Sequence, residues 1–236
     1  MSEVSEYVLE ARGLTRSFGR NLALSGLDLR LAPGHIVGLL GPNGSGKTTL
    51  MKLACGLIKP TAGQILVLGR TPGPETNSHV AYLPDTSFLN DNMRVRDIVE
   101  MYADFYADFD RGAAFSLIRD LNVNENARLS TLSKGTREKV QLVLVMSRRA
   151  RLYLLDEPIG GVDPAAREYI INTIIGNYQP ESTVLISTHL IGDVEPVLDQ
   201  ALFLKEGRIV MEGGVDELRE NSGKSLDALF REVFRC

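Results

Sequence analysis

The sequence predicts an α/β protein with a largely parallel sheet, and three observations carry that expectation. Apolar runs of strand length alternate with helix-periodic segments along the 236 residues. A glycine-rich turn, Gly41 to Gly46, joins one such run to one such segment. A second apolar run, Leu152-Tyr153-Leu154-Leu155, ends abruptly in Asp156-Glu157.

Taken in order, Tyr7 to Ala11 reads as a strand, and Leu27 to Leu31 alternates with period two as a half-exposed strand should. Pro33-Gly34 is a turn. Ile36 to Leu40 is continuously apolar, as a buried central strand requires. From Gly46 to Ile58 the pattern turns helical, with Leu50, Leu53, Ala54 and Leu57 on one face. Gly63 to Leu68 returns to strand. Val95, Ile98, Val99 and Tyr102, continuing to Phe105 or Tyr106, mark an amphipathic helix. Helices are predicted over Arg111 to Leu121 and Gly135 to Arg149. Leu89 to Ala150 therefore holds helices without a strand, an inserted helical subdomain bounded at about 86–150. After the strand at Leu152 come a helix (Ala165 to Tyr178), a strand (Val184 to Ser187), a short helix and two small strands around Gly207. Leu226, Leu229, Phe230 and Phe234 share one face of a short C-terminal helix, about 226–234. No repeat or linker divides the chain, so 1–236 reads as one domain.

Composition narrows the function. Lys and Arg number 26 against 30 Asp and Glu, a formal net charge of −4, which argues against a nucleic-acid coat protein. No apolar run approaches the ~18 residues of a membrane span. The start, Met1 to Glu6, is acidic and lacks the apolar core of a secretory signal, so a cytoplasmic protein is expected. Cys55 and Cys236 are too few for a disulfide framework or a zinc cluster.

Gly41-Pro42-Asn43-Gly44-Ser45-Gly46-Lys47-Thr48 matches G-x-x-x-x-G-K-[ST] between a predicted strand and helix. Glycines there let backbone N–H groups turn inward around phosphates, and the helix N-terminus adds partial positive charge. Lys47 would reach the β- and γ-phosphates of ATP, and the Thr48 hydroxyl would ligate Mg²⁺. Thr49 continues the same helical turn. Asp156 and Glu157 alone could be two solvated acids at a strand end. Beside a phosphate loop they become a carboxylate that holds Mg²⁺, Asp156, and one that polarises the attacking water, Glu157.

With both motifs in place the chain resembles the nucleotide-binding subunit of ATP-binding cassette (ABC) transporters, from about Leu9 to Ile209. The resemblance implies a P-loop NTPase core with a mainly parallel sheet, an N-terminal antiparallel β subdomain and the helical insertion. It matches Leu132-Ser133-Lys134-Gly135-Thr136 to the family signature L-S-G-G-Q, with Ser133 and Gly135 retained and Lys134 and Thr136 departing. Those two residues are thereby implied to cap a γ-phosphate bound by a partner subunit. Gly161-Val162-Asp163-Pro164 resembles the loop that crosses the dimer interface, which singles out Asp163. Ser187-Thr188-His189 makes His189 the switch histidine, while His35 and His79 have no motif around them. Phe18 matches the aromatic that stacks on adenine, though a single aromatic serves equally as a core side chain. Where the family places a glutamine after a strand, this sequence has Asp85, in Leu83-Pro84-Asp85, a shorter and charged group still able to ligate Mg²⁺.

The expected function is an ATPase subunit that powers separate transmembrane permease subunits from the inner face of the membrane. It would pair with a second nucleotide-binding subunit and have no nucleic-acid partner. By similarity it stands nearest exporters of drugs, peptides or lipids. Two alternatives share the parts: an ATPase of an assembly machine such as an iron–sulfur cluster scaffold, and a nucleotide-gated regulatory module. Small G proteins are disfavoured because no Asn-Lys-x-Asp motif occurs.

Overall fold

The computed structural model describes residues 6–234, apart from the side chains of Ala165 and Ala166. Met1 to Ser5 and Cys236, which entered the sequence reading, lie outside it. In chain order the elements are β1 (Leu9–Phe18), β2 (Asn21–Leu31), β3 (Ile36–Leu40), α1 (Lys47–Ala54), β4 (Ala62–Val67), α2 (Pro74–Asn77) and β5 (Val80–Leu83). Then come α3 (Val95–Phe105), α4 (Arg111–Asp120), α5 (Lys134–Met146), β6 (Leu152–Asp156), α6 (Pro164–Asn177) and β7 (Thr183–Thr188). The chain continues with α7 (Ile191–Val194), β8 (Gln200–Lys205), β9 (Arg208–Gly214), α8 (Val215–Ser222) and α9 (Leu226–Val233).

The described strands form two sheets. β2-β1-β4 is antiparallel; β5-β6-β7-β3-β8-β9 is parallel except for the closing β8–β9 hairpin. The central strands are apolar throughout because both their faces are covered. Val37 and Leu39 of β3, Leu152 and Leu154 of β6, and Leu202 and Leu204 of β8 share a core with α1 and the antiparallel sheet. Their alternating neighbours Leu40, Tyr153, Leu155, Ala201 and Phe203 join a second core with α5, α6, α7 and α9. A third core, around Val95, Ile98, Val99, Ile118 and Leu144, belongs to α3–α5.

Several elements differ from expectation for identifiable reasons. α1 stops at Ala54 instead of Ile58: Gly56 has φ +68°, and a Cβ there would stand 3.2 Å from the Pro72 carbonyl oxygen. α5 stops at Met146 instead of Arg149, since Arg148 leaves the helix to bridge Phe109. β1 and β2 run longer than predicted, their period hidden by irregular register between Ala11 and Ser17. β5, α2 and α8 were not singled out by periodicity.

Arg148 ties the helical segment to the sheet. Its side chain is 3% exposed and its guanidinium bonds both Asp108 oxygens at 3.0 Å. The same group donates to the carbonyls of Val80 (2.5 Å) and Ser78 (2.7 Å) and lies 3.9 Å from the Tyr106 ring centroid. Among the described residues no helix is long and apolar enough to cross a membrane.

Candidate functional site

β3 ends at Leu40 and α1 begins at Lys47, so the glycine-rich loop is the passage from a central strand to a helix N-terminus. Two of its glycines are required by close approach. A Cβ on Gly41 would come within 2.5 Å of the Leu204 carbonyl oxygen and 2.6 Å of Ser45 Oγ. Gly46, at φ +112°, leaves 2.5 Å to the Ala23 carbonyl oxygen. Ser45 closes the turn by donating its N–H to Pro42 O at 3.2 Å.

A cleft of about 500 Å³ opens over this turn, lined by Phe18, Asn43, Gly44, Gly46, Lys47, Thr48, Thr49, Asp85 and Glu157 among others. The first turn of a helix leaves its N–H groups without intrahelical partners, and here those groups belong to Lys47, Thr48 and Thr49. Phe18 is half exposed at the cleft edge, and the Arg16 guanidinium lies 4.4 Å from its ring centroid. The sequence left open whether Phe18 was a core side chain; it is a surface one.

Lys47 is buried and fully engaged. Its Nζ donates to Gly41 O at 2.7 Å and Pro42 O at 3.3 Å, and stands 3.2 Å from Glu157 Oε1. Glu157 Oε2 lies 3.0 Å from His189 Nδ1. Glu157 itself is left-handed, φ +50°, a conformation that costs a side-chain-bearing residue roughly 1–2 kcal/mol. It is held by its N–H donating to Ser187 O at 3.0 Å and its carbonyl accepting from Gly160 N at 2.9 Å. One cation thus faces one carboxylate, with an imidazole on that carboxylate's far oxygen.

Asp156 lies deeper. Its Oδ1 accepts from Ser187 Oγ at 2.5 Å, while its buried Oδ2 has no hydrogen-bond partner. Burial pushes its carboxyl above the ordinary carboxylate value; hydrogen bonding from Ser187 and Thr48 works the other way, and the negative Asp85 and Glu157 raise it further. An orphaned carboxylate oxygen beside the Thr48 hydroxyl is a donor set that fits a hard divalent cation. Among the described residues no three His, Cys, Asp or Glu gather into a metal cluster. Such an ion would therefore complete its shell with phosphate oxygens and water.

Ser187 was missed as a site residue. Its signal was a hydroxyl closing an apolar strand just before Thr188-His189. Asp85 is exposed on the loop after β5 and, with Asp156 and Glu157, lines a neighbouring groove of about 510 Å³. The fold does not bring Ser133, Gly135 or Asp163 into the phosphate cleft. Ser133 is the N-cap of α5, its Oγ accepting from Thr136 N at 3.2 Å, and Asp163 is exposed before α6. Cys55 is buried, its thiol pushed up to about 12, so it is no nucleophile.

A family model described as "ABC transporter" matches residues 24–160, from β2 through the phosphate loop and signature stretch to the turn beyond Glu157. The chain belongs to the ABC transporter family. It is 32% identical over 216 residues to the ABC transporter ATP-binding protein YhaQ of Bacillus subtilis, a match that spans 89% of this chain and 72% of the relative. To the daunorubicin resistance ATP-binding protein DrrA3 of Streptomyces coeruleorubidus it is 29% identical, over 98% of this chain and 76% of that one. A solved ATP-binding subunit of an ABC transporter superposes with a TM-score of 0.86 at 28% identity, covering 97% of this chain and all of the other. As an ABC ATPase, the chain is the ATP-binding and ATP-hydrolysing subunit of a transporter.

Proposed function

We propose that this ABC ATPase powers an exporter of a drug, peptide or lipid, working at the inner face of the membrane with separate permease subunits. A relative named Nod factor export ATP-binding protein I supports the direction of transport. Relatives named as ABC transporter ATP-binding proteins do not favour an iron–sulfur scaffold or a regulatory module. The observation that carries the catalytic reading is the Lys47–Glu157–His189 contact at the mouth of the phosphate loop.

In this reading the N–H groups of the Gly41–Thr49 turn cradle the phosphates, Phe18 stacks on adenine, and Lys47 exchanges its Glu157 contact for the β- and γ-oxygens. Freed from Lys47, Glu157 accepts a proton from water as the water oxygen bonds to the γ-phosphorus. The bond from that phosphorus to the bridging oxygen then breaks, leaving ADP. His189, already on Glu157 Oε2, orients the carboxylate and contacts the γ-phosphate. Thr48 and Asp156 would hold Mg²⁺, with Asp85 near it, and the ion would supply positive charge against the phosphates.

Because Ser133, Gly135 and Asp163 stand apart from the cleft, they serve the site of a second subunit. Two chains would pair head to tail, with Ser133 and Gly135 of one closing over ATP held by Lys47 of the other. The test is Lys47→Ala with ATP turnover and nucleotide binding measured together. Turnover should fall about 10²–10³-fold with the loss of a desolvated cation. Unchanged turnover would remove residues 41 to 48 from the site.

A further inference from the structure

Helix α5 contains one residue that its surroundings do not call for. From Val140 to Met146 every side chain is buried, and Gln141 alone among them is polar, at 4% exposure. A primary amide in such a setting is costly unless its groups find partners. Its partner is the main chain of another segment, for Gln141 Oε1 accepts the Phe88 N–H at 3.1 Å. An N–H can only donate, so this contact settles which end of the amide is oxygen. The side chain also lines the groove of about 510 Å³ that holds Asp85, Asp156 and Glu157. Phe88 follows Asp85 on the loop between β5 and α3, and it is 42% exposed, so burial of its side chain does not fix the loop.

One hydrogen bond thus joins the loop that brings Asp85 to the groove with the helix that Ser133 caps. A carboxylate at position 85 is shorter than a glutamine and, when ionised, cannot donate. The amide on this side of the groove comes from α5 instead.

We propose that Gln141 is a positioning residue for ATP hydrolysis, clamping the loop 84–90 to α5 so that Asp85 follows the helix whose N-terminus carries Ser133 and Gly135. This rests on the nucleotide-site reading above. In an unclamped chain, the signature helix and the Asp85 loop move independently, and hydrolysis slows without a change in how ATP is held by Lys47.

The test combines hydrogen–deuterium exchange with steady-state kinetics on the full chain carrying Gln141→Met, which keeps length and helix propensity but not the acceptor. Exchange over residues 84–90 should rise about 5–10-fold, the worth of one net hydrogen bond. The kcat for ATP should fall by a similar ~5-fold factor, with KM unchanged and no loss of melting temperature. Gln141→Glu, which keeps an oxygen for the Phe88 N–H, should retain the protection. Wild-type exchange over 84–90 in Gln141→Met overturns the clamp, and a rise in exchange with kcat unchanged overturns the positioning role. A parallel rise in KM overturns the positioning role, since Gln141 would then be acting on nucleotide binding. Wild-type and Lys47→Ala turnover are measured alongside. If the wild-type chain hydrolyses no ATP, the catalytic reading fails, whereas the exchange result tests the clamp by itself.

Discussion

The phosphate end of the six-stranded sheet and the helical segment α3–α5 are held by opposite kinds of contact. At the sheet end, the reactive groups are mostly buried and bound to one another: Lys47 to Gly41 O and Glu157, Asp156 to Ser187, Glu157 to His189. In the helical segment the charges face water in pairs such as Arg111–Glu100 and Lys134–Glu138, and Ser133 is exposed. Exposed pairs of this kind contribute little stability. What holds that segment is its own apolar core, the packing of Leu142, Val145 and Met146 of α5 against the sheet core, and the buried Arg148. One region is preorganised for chemistry; the other is presented for an encounter. The difference is what the proposed head-to-tail pairing needs, a site held rigid in one chain and an exposed helix start offered by the other.

The comparison breaks most visibly at Glu157. Glu157→Gln should slow hydrolysis by about 10²–10⁴-fold, the usual loss of a general base. With hydrolysis stopped, ATP that binds the paired state better should accumulate a dimer, read by light scattering with and without nucleotide. Adding Ser133→Arg, which places bulk and charge at the α5 N-terminus, should abolish that dimer. A dimer indifferent to Ser133→Arg would take the helical segment out of the interface.

The next effect concerns the anchor. Arg148→Ala strands Asp108 and two main-chain carbonyls, which should cost about 2–4 kcal/mol in chemical denaturation. Exchange should rise first in α3–α5 rather than in β3 or β6; uniform loss across both regions would show that the two are one cooperative unit.

The smallest effect isolates the helical segment further. Asp110 caps α4, accepting from Ala113 N at 2.9 Å, and that bond together with Arg149 holds its carboxyl below the ordinary value. A depressed carboxylate stabilises above its unfolded pKa, and the benefit is lost as pH falls through the folded one. Asp110→Ala should therefore cost about 1 kcal/mol at pH 7, since water reaches this cap, and less at pH 3, below the ordinary carboxylate value. Equal losses at both pH values would rule out the carboxylate as the cause.

Legibility followed the same division. Ile36–Leu40 and Leu152–Leu155 were readable because burial on both faces writes itself as unbroken apolarity, and the phosphate loop because its glycines, Lys47 and Thr48 stand at a fixed spacing. β5 and α8 were not: Val80–Leu83 is too short to show a period, and of α8 only Val215 is buried. Motifs named Lys47, Asp156 and Glu157, but not the contacts between them. The Asp156–Ser187 contact arises from the parallel pairing of β6 and β7, and the Lys47–Glu157 contact from β3 pairing on the other side of β7. Arg148 and Gln141 were passed over although each left a mark, a polar residue within or just after an apolar run. Reading that mark required knowing what lies across from it.

The glycine contacts around the phosphate loop also impose an order on synthesis. β3 lies between β7 and β8, and Gly207, with no room for a Cβ against Ala23 and Leu24, receives the Ser25 N–H and donates to Ser45 O. Segments near residues 24, 45 and 207 therefore set one another's shape. On a ribosome making the chain from its N-terminus at roughly 5–20 residues per second, residues 41 to 48 emerge long before their neighbours in space. The contacts that the phosphate loop makes with Leu204 and Gly207 are therefore among the last the growing chain can complete, after the β8–β9 hairpin has been made.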